Sequence, residues 1–374
     1  MPAISVMIKP ASGLCNMRCR YCFYADETEN REVKSYGIMQ REVLEPMLQR
    51  ILAFATGECT IAFQGGEPTL AGLDFYRQVV ELQKKHNTKG LVIHNAIQTN
   101  GYVINDEWAA FFAENHFLVG LSLDGTKDLH DLNRPDAEGK GTFSRVMHAA
   151  QLFDKHKVEY NILTVITADT ARSIRKIYGF FDRNHFAYQQ YIPCLDPIGE
   201  ERGQHPYSLT PPLFEQYLKN AFDLWYQDFK RGRPKYHRYF ENLLMLLAGQ
   251  QPESCGVMGV CSHQFVVEAD GSVYPCDFYV LDEWRLGNLA TDSFEQIEAK
   301  RAELGFVQMS RYVDESCKGC KWFGLCRGGC RRDREPVVDG HLSKNYFCQA
   351  YYNFFEYAAP RLQEVLYTLQ ARGR

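Results

Sequence analysis

The sequence predicts an α/β fold: six parallel βα units followed by a C-terminal part organised by cysteines rather than by an apolar core. Three observations predict it. Strand-like runs alternate with helical patterns as far as about residue 200. Polar or glycine-rich residues follow strand after strand, where parallel barrels carry their sites. After residue 250 the periodicity gives way to short segments that carry most of the cysteines.

The elements follow in order. "ISVMIKP" reads as the first strand, and "REVLEPMLQRILAFA" places Leu44, Met47, Leu48, Ile51 and Leu52 on one helical face, with Pro46 tolerable only near the first turn. "CTIAFQ" is a second strand, "DFYRQVVELQKKH" a helix, "LVIHNAIQTNG" a third strand and "DEWAAFFAENH" a helix. "FLVGLSLDG", "VEYNILTVIT" and "AYQQYIPCL" are the last three strands, separated by the helices "TFSRVMHAAQLFDKHK" and "ARSIRKIYGFFDRNH". Residues 196–215, rich in Pro, Gly and charge, read as a linker, and "LFEQYLKNAFDLWYQDFK" and "YFENLLMLLAG" as helices beyond it. The expected domains are 1–235 and 236–374.

At 374 residues, with 45% hydrophobic content and net charge -4, the chain can bury a sizeable core. Lys+Arg 42 against Asp+Glu 46 gives no basic excess for a nucleic acid partner. Neither a signal peptide nor a run long enough for a membrane span is present, so the expectation is a cytoplasmic, monomeric protein that binds neither nucleic acid nor membrane.

Thirteen cysteines are the exceptional feature, because cytosolic thiols stay reduced and serve as metal ligands more readily than as disulfides. Cys15, Cys19 and Cys22 form C-x3-C-x2-C directly after the first strand, with no neighbouring fourth ligand. Closed zinc sites want four ligands, whereas a 4Fe-4S cluster on three thiolates keeps one iron open. Eight more thiols follow: Cys255, Cys261 and Cys276, the last two at C-x9-G-x4-C, then Cys317, Cys320, Cys326 and Cys330 at C-x2-C-x5-C-x3-C, and Cys348. Eight make two sets of four, for iron–sulfur clusters or for zinc, and spacing does not say which four go together. Cys59 and Cys194 read as buried structural thiols.

The first group, with Tyr21 before its third cysteine, resembles the signature of radical S-adenosylmethionine (SAM) enzymes, and the C-terminal spacing resembles their SPASM extension. The resemblance implies a partial (βα)6 radical SAM barrel followed by a cysteine-rich domain with two auxiliary clusters. "GGEP" matches the GGE motif, Gly65, Gly66 and Glu67, whose backbone receives the SAM amino group. It further implies Tyr21 at the adenine, Ser122 at the ribose or methionyl part, Arg134 on the SAM carboxylate and Leu195 lining the adenine pocket. An arginine fork suits a carboxylate. By the same resemblance Cys255, Cys261, Cys276 and Cys330 hold one auxiliary cluster, and Cys317, Cys320, Cys326 and Cys348 the other, so that three 4Fe-4S clusters and SAM are the cofactors.

"IKPA", "VKSYGIM", "AFQGGEPTLAGL", "QFVVEADGSVYPCDFYV" and "CKGCKWFGLCRGGC" are similar to segments of the anaerobic sulfatase-maturating enzymes. These oxidise a cysteine or serine in an unfolded or nascent sulfatase segment, Cys/Ser-x-Pro-x-Arg, to Cα-formylglycine, with an electron donor such as flavodoxin or ferredoxin. Asp277 is then the implied proton acceptor, tethered by its neighbour Cys276 and raised in pKa by burial near Phe278 or Tyr279. Tyr24 and Gln64 are candidates for holding substrate. Two alternatives stand beside this: a SPASM maturase of a ribosomal peptide, which commonly needs a leader-binding domain where only fourteen residues precede Cys15, and a non-catalytic zinc-rich module.

Overall fold

The computed structural model describes residues 4–373, so the first three residues read for targeting signals and the last residue of the expected second domain lie outside it. All six predicted strands form: β1 (Ile4–Ile8), β2 (Glu58–Phe63), β3 (Val92–Thr99), β4 (Leu118–Ser122), β5 (Tyr160–Ile166) and β6 (Tyr188–Pro193). Between them come α1 (Phe23–Glu29), α2 (Arg41–Phe54), α3 (Leu73–His86), α4 (Asp106–Glu114), α5 (Lys127–Asn133), α6 (Phe143–His156), α7 (Ala168–Arg172) and α8 (Ile174–Arg183). Helices α1 and α5 were not anticipated, because at seven residues each they carry too little periodicity to read. Pro46 sits at the sixth residue of α2, inside the helix rather than in its first turn. The fully buried face of Leu44, Met47, Leu48, Ile51 and Leu52 outweighs the lost hydrogen bond.

The chain forms two compact units that interleave along the sequence, where the sequence reading divides it once. The first contains the described residues up to Leu123, His130–Asn161 and His263–Phe306. Beyond β1–β4 it includes β8 (Phe265–Val267), β9 (Ser272–Tyr274), β10 (Gly287–Asn288) and α11 (Phe294–Leu304). Its strands run β10-β9-β8-β1-β2-β3-β4. β1 pairs parallel to β2 on one side, Val6 opposite Ile61, and parallel to β8 on the other, Ile8 opposite Val267. Hence the β8–β9 hairpin that brings the Cys276–Asp277 step is joined, through β8, to the strand that leads into the first cysteine group. The turn between β8 and β9 needs Gly271, whose φ is +87° and where an added Cβ would lie 2.5 Å from Asn288 Oδ1. Val266, Tyr274 and Val280 pack with Met7 beneath this edge.

The second unit comprises Asp124–Leu129, Ile162–Ser262 and Val307 onward. It holds parallel strands β5, β6 and β7 (Tyr236–His237), with α9 (Pro211–Lys230) and α10 (Arg238–Leu247). Helix α9 begins within the stretch read as linker, with prolines in its first turn where a missing N–H costs nothing. Asp196 braces the loop before it by accepting from Gly203 N (2.9 Å) and from Ser208 Oγ. After the short helices α12 (Phe306–Ser310), α13 (Glu315–Lys318) and α14 (Phe323–Cys326), the hairpin β11 (Val337–Val338) and β12 (His341–Leu342) precedes α15, a 24-residue helix Cys348–Ala371 that the cysteine-rich reading missed. Its buried Phe354, Ala358, Leu362 and Val365 form one stripe, and Arg361 ties it to Asp223 of α9 at 2.8 Å.

Candidate active site

Cys15, Cys19 and Cys22 lie in the loop from β1 to α1, where Cys22 is the residue before the helix. Met17 N points to Cys15 Sγ at 3.4 Å and Cys22 N donates to Cys19 O at 3.3 Å, so the loop turns its half-buried thiols on a short radius. Burial pushes the Cys15 thiol up to about 11 and also raises Cys22. A thiolate disfavoured in this way needs a cationic partner, which is the chemistry of an iron-binding donor set. Among the described residues no three Cys, His, Asp or Glu side chains gather around a single-ion site. A four-iron cubane places its ligands farther apart than one ion does.

The Gly-Gly-Glu segment packs against the backbone of this loop. Gly66 N donates to Ser12 O (3.0 Å) and Glu67 N to Leu14 O (2.8 Å). A Cβ on Gly66 would lie 2.1 Å from Leu14 O, and one on Gly65, at φ +120°, would press on the Lys9 stem at 3.1 Å. The glycines are therefore required by close approach. The Glu67 carboxylate is 1% exposed and accepts from Thr69 N (3.0 Å), Thr99 Oγ1 (2.8 Å) and Asn100 N (2.7 Å). It joins the ends of β2 and β3 and is raised in pKa by burial, against those hydrogen bonds.

Tyr21, Cys19 and Arg134 come together: Arg134 Nη1 lies 3.9 Å from Cys19 Sγ and its guanidinium 5.5 Å from the Tyr21 ring centroid. Backbone bonds from Arg18 N to Pro135 O (2.8 Å) and from Arg20 N to Asn133 O (3.0 Å) hold the segment after α5 along the cysteine loop. Ser122 is buried at the end of β4, and Leu195, half-buried, follows β6 in the second unit.

Asp277, Tyr24 and Gln64 converge as well. Asp277 Oδ2 accepts from Tyr24 OH at 2.6 Å and from Gln64 Nε2 at 3.1 Å. Two residues not singled out in the sequence complete the corner. Lys9 Nζ lies 3.5 Å from Asp277 Oδ1, 3.3 Å from Glu27 Oε2 and 4.5 Å from the Tyr24 ring centroid. Glu27 Oε1 accepts from Val280 N at 3.1 Å. Burial raises the Asp277 carboxyl, with Lys9 and Tyr24 opposing, and pushes Glu27 up to about 7. Phe23 meets Phe278 edge-on with centroids 4.8 Å apart and closes the apolar side. The lysine was legible only as part of "IKPA"; Glu27 left no signal, because its partners are distant in sequence.

Among the C-terminal thiols of the second unit, Cys255 and Cys261 lie close enough to Cys330 to act on it electrostatically, as do Cys348, Cys317 and Cys320 on Cys326. The chain turns away between Cys326 and Cys330 through three left-handed residues, Arg327 (φ 51°), Gly328 (φ 86°) and Gly329 (φ 71°). A Cβ on Gly259 would lie 1.8 Å from Arg327 O, so this turn is tightly packed too. Cys276 belongs to the first unit. Cys59 and Cys194 are buried and stand apart from both groups in sequence.

Known proteins agree with this architecture. The Radical SAM superfamily matches residues 10–181 and the SPASM iron-sulfur cluster-binding domain matches 255–321. A cysteine-type anaerobic sulfatase-maturating enzyme of Clostridium perfringens is 54% identical over 98% of this chain and 99% of its own length. The serine-type enzyme of Bacteroides thetaiotaomicron is 32% identical over 95% of this chain and 89% of its own. The solved structure of native anSMEcpe with bound AdoMet and Kp18Cys peptide superposes with TM-score 0.94 at 53% identity, covering 98% of this chain and all of that one. These matches set aside the zinc-module and ribosomal-peptide readings. The chain belongs to the anaerobic sulfatase-maturating enzymes, radical SAM oxidoreductases with 4Fe-4S clusters that convert a side chain of a sulfatase peptide to Cα-formylglycine.

Proposed function

We propose that the chain oxidises a cysteine, rather than a serine, of its sulfatase substrate, and that Asp277 is the base that takes the thiol proton. The observation that carries the base assignment is the buried Asp277 carboxylate, whose Oδ2 is engaged by Tyr24 and Gln64 while Oδ1 accepts no hydrogen bond. The choice of cysteine follows the 54% and 49% identical relatives, both cysteine-type. When bound, the cluster on Cys15, Cys19 and Cys22 with SAM supplies a 5'-deoxyadenosyl radical that abstracts hydrogen, and the auxiliary clusters accept an electron.

The chain's own residues do the rest. The SAM ammonium is a donor, so the carbonyl oxygens of the Gly65–Glu67 segment are its means of receiving it, while the N–H groups of Gly66 and Glu67 fasten the segment to Ser12 and Leu14. Arg134 presents a fork to the SAM carboxylate beside Tyr21, with Ser122 and Leu195 completing the nucleoside contacts. Loss of one hydrogen atom from Cβ, one proton from sulfur to Asp277 and one electron leaves a thioaldehyde. Water then replaces its sulfur, giving the aldehyde and sulfide. Apolar surroundings favour proton transfer to a carboxylate already raised by burial.

Cys255, Cys261, Cys276 and Cys330 hold one auxiliary cluster and Cys317, Cys320, Cys326 and Cys348 the other; the closeness of Cys255 and Cys261 to Cys330 supports the split. A flavodoxin- or ferredoxin-type protein supplies electrons, and the enzyme works as a cytoplasmic monomer. Among the described residues no helix is long and apolar enough to cross a membrane. The test is Asp277→Asn, reconstituted anaerobically with a Cys-x-Pro-x-Arg peptide. It should keep its iron and form 5'-deoxyadenosine without aldehyde; aldehyde at the parent rate would remove Asp277 from the role.

A further inference from the structure

We infer that Lys9 and Glu27 are positioning residues for the Asp277 carboxylate, Lys9 holding it through Oδ1 and Glu27 locking Lys9 and the Cys276–Val280 turn into one frame. The inference rests on the reading of Asp277 as the base.

The two oxygens of Asp277 keep different company. Oδ2 receives two donors, Tyr24 at 2.6 Å and Gln64 at 3.1 Å. Oδ1 is buried, accepts no hydrogen bond, and has Lys9 Nζ at 3.5 Å. At that separation the ammonium attracts the oxygen without occupying a lone pair. Two donors on one oxygen and an ammonium beside the other fix the plane of the carboxylate.

Lys9 can fix this orientation because it is itself fixed. Its backbone N donates to Val267 O (2.7 Å), its stem lies against Gly65, and its ammonium faces Glu27 at 3.3 Å. Glu27 in turn grips Val280 N at 3.1 Å, three residues after Asp277. The side chains of Lys9 and Glu27 are each 3% exposed, where an ion is retained only if paired. The adjacent cation does not compete: Arg31 is spent on Glu268 at 2.7 Å and on Ser12 and Lys34. One ammonium therefore stands between two carboxylates, one of which has no part in the reaction and serves as its anchor.

The experiment compares Lys9→Met, Lys9→Arg, Glu27→Gln and Asp277→Asn holoenzymes, reading iron content, peptide KM, and aldehyde formed per 5'-deoxyadenosine. Lys9→Met should lower kcat for aldehyde about 10- to 100-fold, within what a general base contributes, with KM within about twofold and iron retained. Radical initiation continues, so aldehyde per 5'-deoxyadenosine falls. Lys9→Arg should recover most of the ratio, and Glu27→Gln should lower it by a smaller factor. Unchanged kcat and ratio in Lys9→Met, or a parallel fall of both products with iron retained, would overturn the inference. If Lys9→Met fails to hold iron, the ratio in Lys9→Arg and Glu27→Gln decides in the same way. Full aldehyde formation by Asp277→Asn would instead strike the base assignment itself.

Discussion

Replacing Glu27 by Gln should make the protein's stability less dependent on pH, in a direction opposite to that of an ordinary salt-bridged carboxylate. Glu27 is 2% exposed and its pKa is raised from 4.5 to about 7, by burial first and by Asp277, against the pull of Lys9 and of Val280 N. Between those values the folded protein binds more protons at this site than the unfolded chain does. Stability therefore falls as pH rises through the window, and the loss is complete above the folded pKa. Summing the linkage between pH 5.5 and 8, where iron–sulfur proteins can be handled, gives a loss of about 2 kcal/mol from this one group. Glu27→Gln keeps a similar shape without the titration. Anaerobic urea unfolding of the two proteins across that range, followed by tryptophan fluorescence and by cluster absorbance, measures the difference. The variant should gain about 2 kcal/mol on the parent between the two pH values. A pH-independent difference, or one of opposite sign, would refute the reasoning.

Gly66→Ala would set a methyl 2.1 Å from Leu14 O and push back the loop carrying Cys15, costing about 1–3 kcal/mol and lowering iron content and SAM binding in the reconstituted enzyme. Arg202→Ala would leave Asp333 buried without its partner at 3.3 Å, and should destabilise the second unit by about 3 kcal/mol in anaerobic denaturation. Cys330→Ala and Cys348→Ala should each lose about four of about twelve irons, with different signals disappearing from the electron paramagnetic resonance spectrum. Loss of the same signal from both would contradict the division of the eight thiols.

Much of this was legible in the sequence, for physical reasons that can be named. The six strands stood out because each carries its own apolar run between helical repeats, and the thiol groups because cysteine spacing is local. Asp277 was placed only by resemblance: burial beside Tyr24 and Gln64 depends on β8 pairing parallel with β1, across some 260 residues of chain. Glu27 was invisible, and Lys9 legible only within "IKPA", for the same reason, since a charged residue gives no periodic sign of being buried. The long helix α15 shows the opposite bias, where attention to the cysteines hid a continuous apolar stripe.

The most direct measurement gives the anaerobically reconstituted enzyme SAM, reductant and two peptides that differ only in carrying Cys-x-Pro-x-Arg or Ser-x-Pro-x-Arg, and follows peptide mass together with 5'-deoxyadenosine. A cysteine-type maturase forms aldehyde on the cysteine peptide in step with 5'-deoxyadenosine and favours it over the serine peptide. Abundant 5'-deoxyadenosine with no aldehyde from either peptide would contradict the account.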